Sequence, residues 1–155
     1  MNVQALLDIA RTRGVRIATA ESCTGGMISA ALTDIAGSSD VFDRGFVTYS
    51  NTAKVTMLGV SQTTLTEFGA VSEATAQEMA EGALARSDTQ LTVAVTGIAG
   101  PGGSDHKPEG RVCFAVAQTG QATHSETREF GPIGRAQVRQ ATVDHAILLL
   151  SQALF

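Results

Sequence analysis

The sequence predicts an α/β fold, a three-layer α/β/α sandwich built on a mixed sheet. Three observations carry that expectation. Segments with apolar residues at helical spacing alternate with short runs of strand character. Small-residue turns follow the strand-like runs directly, so strand passes to helix with little linker. Late in the chain, two strand-like runs adjoin across Thr119-Gly120-Gln121, a hairpin signal that puts antiparallel neighbours into the sheet. With 155 residues, 43% apolar and 17% charged, the chain reads as one domain over 1–155, long enough for a substantial core.

The elements follow in order. Val3 to Arg13 places Val3, Leu6, Leu7 and Ile9/Ala10 on one helical stripe. Val15 to Ala20 reads as a strand. Gly25 to Ile35 reads as a helix with Met27, Ile28, Ala31, Leu32 and Ile35 inward, ended by Gly37-Ser38-Ser39. Phe46 to Tyr49 is a short strand, and Asn51 to Met57 is a helical turn or two capped by Ser50 or Asn51. A short helix is expected over Ser61 to Phe68, then a longer one capped by Ser72 and running to Arg86. Leu91 to Val95 is a strand, and residues 97–110 form a loop with five glycines and two prolines. Arg111 to Ala117 and Thr123 to Phe130 are strands, and Arg135 to Leu154 is a long final helix.

Composition narrows the function. A net charge of −4, with nine arginines and two lysines spread along the chain, argues against nucleic acid as a partner. No apolar stretch reaches membrane-spanning length, and Met1 to Arg13 lacks the layout of a signal peptide. Two cysteines, Cys23 and Cys113, make no disulfide framework and suit a reduced, cytoplasmic setting. His106, His124 and His145 are scattered and no pair has ligand spacing, so no metal site is expected.

Chemistry is concentrated in the turn Ala20-Glu21-Ser22-Cys23-Thr24-Gly25-Gly26. It joins a strand end to a helix start, where the first N–H groups lack helical partners. Two nucleophiles, Ser22 and Cys23, lie beside those amides, as an acyl-transfer site requires. Ser22 also fits a helix N-cap, and Glu21 an acid complementing the helix dipole. Cys23 competes as nucleophile through a helix-lowered pKa. No histidine lies near these segments, however, which favours a serine served by lysine. Lys54 follows Tyr49, the only tyrosine, which is expected to end a strand; sites gather at strand carboxyl ends in open α/β sheets. A partly desolvated lysine can lose its proton near neutrality and act as general base.

The segment Thr96-Gly97-Ile98-Ala99-Gly100-Pro101-Gly102-Gly103 follows another strand, and its backbone can approach a ligand closely. It lacks the Gly-Lys-Ser/Thr of a Walker loop. Arg135 stands in the first turn of the last helix, against the macrodipole, where charge and free amides together suit an anion; Arg139 one turn later is equally placed by sequence.

Together, Ala20 to Gly26, then Gly45-Phe46-Val47-Thr48-Tyr49-Ser50-Asn51 with Lys54, then Gly69-Ala70-Val71-Ser72, then Thr96 to Pro101 resemble the CinA C-terminal domain family. The resemblance runs from about residue 3 to 150. It implies the α/β/α sandwich and an amidase that converts nicotinamide mononucleotide to nicotinate mononucleotide and ammonia without a cofactor. Many members carry an extra N-terminal domain resembling molybdopterin-binding proteins, which is not expected here. By the family's motifs, Ser22 would be the nucleophile and Lys54 its base. Tyr49 would hold the Ser–Lys network and pass a proton to departing ammonia. Cys23, Thr24, Gly25, Gly26, Thr96 and Gly97 would bind substrate or the oxyanion, and Arg135 the substrate phosphate. A homodimer is expected, from the resemblance and from apolar residues on two sides of the last helix. Two other readings stay open at this point: a non-catalytic nucleotide-binding sensor, and an amidase for another small amide.

Overall fold

The computed structural model describes residues 2–104 and 106–155. Met1, at the end of the expected domain, and Asp105, within the expected 97–110 loop, lie outside the described residues. Five strands form one sheet in the order β2-β1-β3-β4-β5. β1 (Ile17–Glu21) is parallel to both neighbours, β2 (Phe42–Val47) and β3 (Leu91–Gly97). β4 (Arg111–Gln118) and β5 (His124–Glu129) continue the sheet antiparallel. One face carries α1 (Val3–Arg13), α2 (Met27–Thr33) and α6 (Arg135–Leu154); the other carries α3 (Asn51–Leu58), α4 (Gln62–Phe68) and α5 (Glu73–Ala85). The architecture is the three-layer sandwich with a mixed sheet. Among the described residues, no helix is long and apolar enough to cross a membrane.

Strand alternation divides the core. Leu91, Val93 and Val95 of β3, with Val112, Phe114 and Val116 of β4, pack into the larger cluster against α1, α2 and α6. On the opposite face the strands present Ala20, Ala94, Ala115 and Ala117 to Ala76, Ala80 and Ala83 of α5. These small side chains let α5 lie close to the sheet. Gly82 extends the same economy to the next layer: a Cβ there would lie 2.0 Å from the Leu58 carbonyl oxygen at the end of α3. The obstacle is backbone, not the end of a flexible side chain. We expect Gly82→Ala to destabilise the chain by about 1–3 kcal/mol, as overpacking does. A urea midpoint equal to the parent's would contradict this.

Several boundaries differ from the sequence reading, for identifiable reasons. β2 begins at Phe42 and ends at Val47, so Tyr49 stands beyond the strand rather than ending it. Its polar stretch Asp43-Arg44-Gly45 hides the strand pattern, and an edge strand tolerates such residues because one side is unpaired. β1 is shifted two residues toward the carboxyl end at its start and includes Glu21. α2 starts at Met27, not Gly25: Gly25 and Gly26 take φ of +57° and +104°, outside right-handed helix. Ser50 and Ser72 cap α3 and α5 as expected, their hydroxyls accepting from the amides of Ala53 and Thr75.

The topology positions the site. The carboxyl ends of β1, β2 and β3 point the same way. The chain leaves β1 toward α2 on one face and leaves β2 toward α3 on the other. The two departures open a crevice above β1, where ligand sites of open α/β sheets are found.

Candidate active site

The turn after β1 is shaped by a buried carboxylate. Glu21 is fully buried, and its Oε1 accepts from the Thr24 hydroxyl (2.6 Å), the Ile28 amide (2.9 Å) and the Gly26 amide (3.2 Å). Its Oε2 accepts from the Ser29 amide (2.9 Å) and hydroxyl (2.7 Å). Glu21 is thus the helix-complementing acid of α2 and satisfies the amides that a helix start leaves open. This corrects the expectation that first-turn amides stand free beside the nucleophile. It also removes the capping role from Ser22.

Ser22 is held by its backbone instead. Its amide donates to the Val95 carbonyl (3.1 Å), and its carbonyl accepts from the Gly25 amide (3.1 Å). The hydroxyl lies 3.0 Å from Lys54 Nζ. Lys54 comes from α3 on the other face of the sheet and is 1% exposed. Its second partner is the Thr48 carbonyl, to which Nζ donates at 3.0 Å. Among the described residues no carboxylate joins these partners, and burial pushes the Lys54 pKa below the ordinary lysine value, against a smaller opposing effect of Cys23. Nζ thus donates to both the Ser22 hydroxyl oxygen and the Thr48 carbonyl; once it gives up a proton, one N–H can stay on Thr48 while a lone pair becomes available to the Ser22 O–H.

Cys23 also lines the site, but burial pushes its thiol up to about 12, with the Glu21 charge adding to the rise. A thiol in that state is not ionised near neutrality and is a poor nucleophile.

Free amides lie beside Ser22. Among the described residues, the N–H groups of Cys23 and Thr24 find no backbone acceptor. Alternation along β3 turns the Gly97 N–H toward β1 as well, just past the point where Val95 accepts from Ser22. Gly97 is required for close packing: a Cβ there would meet Val112 Cγ2 at 2.6 Å and the Arg111 carbonyl at 2.9 Å. Of these three amides, those of Cys23 and Gly97 belong to residues that line the cavity and are the material of an oxyanion hole.

A cavity of about 340 Å³ opens above this floor, within the range of small-molecule sites. Ser22, Cys23 and Lys54 lie at its base, Thr96 and the glycine-rich segment 97–104 form a wall, and Tyr49 and Arg135 stand at the rim. The Thr96 hydroxyl donates to the Ala70 carbonyl (2.8 Å), which fixes the α4–α5 junction against the wall. Arg135 donates to the Gly100 carbonyl (2.7 Å) and to the Tyr49 hydroxyl (3.1 Å).

The structure therefore brings together Ser22, Cys23, Tyr49, Lys54, Thr96, Gly97 and Arg135. It does not bring Thr24, Gly25 and Gly26 to the cavity wall. Thr24 is buried with its hydroxyl on Glu21, and the two glycines make the turn that carries the chain into α2. Nor does Tyr49 contact the Ser–Lys pair; its hydroxyl lies on Arg135. Arg139 differs from Arg135: it donates to the carbonyls of Cys23 (3.1 Å) and Thr24 (3.2 Å) and braces the turn.

Sequence reasoning missed three contributors. Asn51 lines the cavity from the start of α3. Glu109 accepts from the Gly102 amide (3.1 Å) inside the glycine-rich loop. Lys107, the second lysine, donates to the carbonyls of Phe68 and Val71 and ties that loop to the α4–α5 junction. A lysine amid glycines was the only signal for it.

Known proteins resemble this chain along nearly its whole length. The CinA C-terminal domain model matches residues 2–154. The chain is 50% identical over 145 residues to a CinA-like protein of Syntrophobacter fumaroxidans, covering 93% of this chain and 34% of that protein. It is 48% identical over 143 residues to a protein of Escherichia coli named nicotinamide-nucleotide amidohydrolase PncC, covering 92% of this chain and 86% of that one. The chain thus spans about a third of the length of the CinA-like relative but most of the Escherichia coli protein. Among solved structures, the competence/damage inducible protein CihA of Agrobacterium tumefaciens superposes with a TM-score of 0.94 at 52% identity, covering 98% of this chain and 92% of that chain.

Proposed function

The chain belongs to the CinA C-terminal domain family, and from that premise we propose that it hydrolyses the carboxamide of nicotinamide mononucleotide to nicotinate mononucleotide and ammonia. The observation that carries the reading is the buried contact of 3.0 Å between Ser22 Oγ and Lys54 Nζ at the base of the cavity. The name of the Escherichia coli relative supports the substrate class.

The chemistry follows from the groups present. Ser22 Oγ bonds to the carboxamide carbon as its proton passes to the neutral Lys54 amine. The amides of Cys23 and Gly97, which line the cavity, hold the resulting oxyanion; one such donor is typically worth ~10²–10³ in rate. The C–N bond breaks, and the leaving nitrogen takes a proton from the Tyr49 hydroxyl, which Lys54 restores. Water then attacks the ester and gives a proton to Lys54, and Ser22 recovers its own as the carboxylate departs. Arg135 receives the substrate phosphate as a charge-assisted pair. In this reading the whole chain, 1–155, is one amidase domain working in a reduced cytoplasmic compartment.

Hydrolysis in ¹⁸O-labelled water tests the scheme: one ¹⁸O enters the product carboxylate and one ammonia is released per turnover. Because Lys54 must be neutral to accept the proton, and burial lowers its pKa, turnover rises from pH 6 toward pH 9 until that pKa is passed. A flat profile contradicts the assignment. Cys23→Ser retains turnover, since its thiol takes no part.

We also assign a homodimer, supported by Leu148 and Phe155, which α6 leaves exposed near its end. Light scattering that returns the monomer mass of 16.0 kDa would contradict it.

A further inference from the structure

Tyr49 is anchored beside the reacting centre, yet its hydroxyl is held away from it. The preceding residue, Thr48, supplies the carbonyl that receives Lys54 Nζ, and the following residue, Ser50, caps the helix that carries Lys54. The backbone of Tyr49 is thus fixed at the Ser–Lys pair. Its side chain is 62% exposed and points to Arg135, whose guanidinium donates to the phenol oxygen at 3.1 Å and to the Gly100 carbonyl at 2.7 Å. The bridge joins three separate segments across the cavity rim. Both acceptors are neutral, and a phosphate dianion is a stronger acceptor for the same N–H groups. An exposed ring of this kind reorients on the fast side-chain timescale once released.

We propose that Arg135 is a positioning residue that withholds Tyr49 until a phosphomonoester arrives: the anion takes the guanidinium, and the released phenol swings to the leaving nitrogen. This inference rests on the amidase reading above and deepens it. The phosphate then contributes to turnover as well as to binding, and the enzyme discriminates a nucleotide from its nucleoside in kcat.

Two consequences separate this from a simple phosphate clamp. Nicotinamide riboside, lacking the phosphate, turns over with kcat lowered by on the order of 10², the lower end of what a positioned acid supplies. Replacing the arginine frees the phenol permanently. Arg135→Ala therefore raises KM for the nucleotide, but raises kcat for the nucleoside at least about tenfold above the parent's, recovering part of that acid contribution.

The experiment measures kcat and KM for nucleotide and nucleoside with the parent and Arg135→Ala, with and without inorganic phosphate. Phosphate is expected to raise nucleoside kcat in the parent and leave it unchanged in Arg135→Ala. The chain has one tyrosine and no tryptophan, so the emission of Tyr49 gives an independent reading. It changes when inorganic phosphate is added to the parent and does not in Arg135→Ala. Equal kcat for nucleotide and nucleoside in the parent, or a nucleoside kcat no higher in Arg135→Ala, overturns the latch and leaves the amidase reading intact. Failure to hydrolyse the nucleotide at all overturns the amidase reading, and the latch with it.

Discussion

Lys54→Met is expected to abolish turnover, lowering kcat by on the order of 10⁴ or more, because nucleophile and base act as one unit. Methionine keeps the length of the buried stem but has no proton acceptor. Ser22→Ala should cost as much, and the double variant little more than either single one. Steady-state kinetics on the three variants check this; additive losses would mean that the two side chains act independently. The same substitution has an opposite effect on stability. Burial lowers the folded pKa of Lys54, whereas the unfolded lysine titrates near ~10.4. Between those two values the unfolded chain binds the extra proton, so the stability contributed by Lys54 rises with pH across that window and is lowest below the folded pKa. Lys54→Met removes this dependence. Relative to the parent, the variant is most stable near neutrality and loses that advantage as pH climbs toward ~10. Melting temperatures of both proteins from pH 6 to 10 report the difference, and a constant offset would contradict the pKa direction.

Glu21→Ala should be the most destabilising change near the site. It leaves the amides of Gly26, Ile28 and Ser29 and the hydroxyls of Thr24 and Ser29 without their acceptor inside the protein. A buried donor left without its acceptor typically costs about 1–3 kcal/mol, and here several lose it at once. Glu21→Gln does not rescue it, since whichever way the amide turns, its NH₂ meets donors. Because the same carboxylate shapes the turn that presents Ser22, both variants also lose activity at temperatures where they remain folded. Denaturant titration gives the stability directly. A loss below about 1 kcal/mol would show that water replaces the carboxylate, contrary to its complete burial.

The sequence made most of this legible where the pattern is local. Four of the five strands, the caps at Ser50 and Ser72 and the long α6 follow from alternation, serine placement and helical spacing. Only Phe46 and Val47 of β2 are legible, because Asp43, Arg44 and Gly45 on an edge strand carry no apolar alternation. The turn after β1 was recognised as chemical, but its electrostatics were reversed. Glu21 takes the helix-start amides, and the amides available to the site come from Cys23 and Gly97. Only folding the chain brings Lys54 from the opposite face to Ser22, 32 residues away; without the family's motifs, spacing alone does not pair them. Arg135 and Arg139 were likewise indistinguishable one turn apart. Tertiary contacts separate them, one to Gly100 and Tyr49, the other to Cys23 and Thr24.

The central claim is that Ser22, activated by buried Lys54, cleaves the amide of a pyridine nucleotide. Its most direct test is ammonia release from nicotinamide mononucleotide by the purified chain beside folded Ser22→Ala. The account predicts stoichiometric ammonia and nicotinate mononucleotide from the parent and none above background from the variant. A folded parent that releases no ammonia, or a Ser22→Ala protein that releases it at the parental rate, would contradict it.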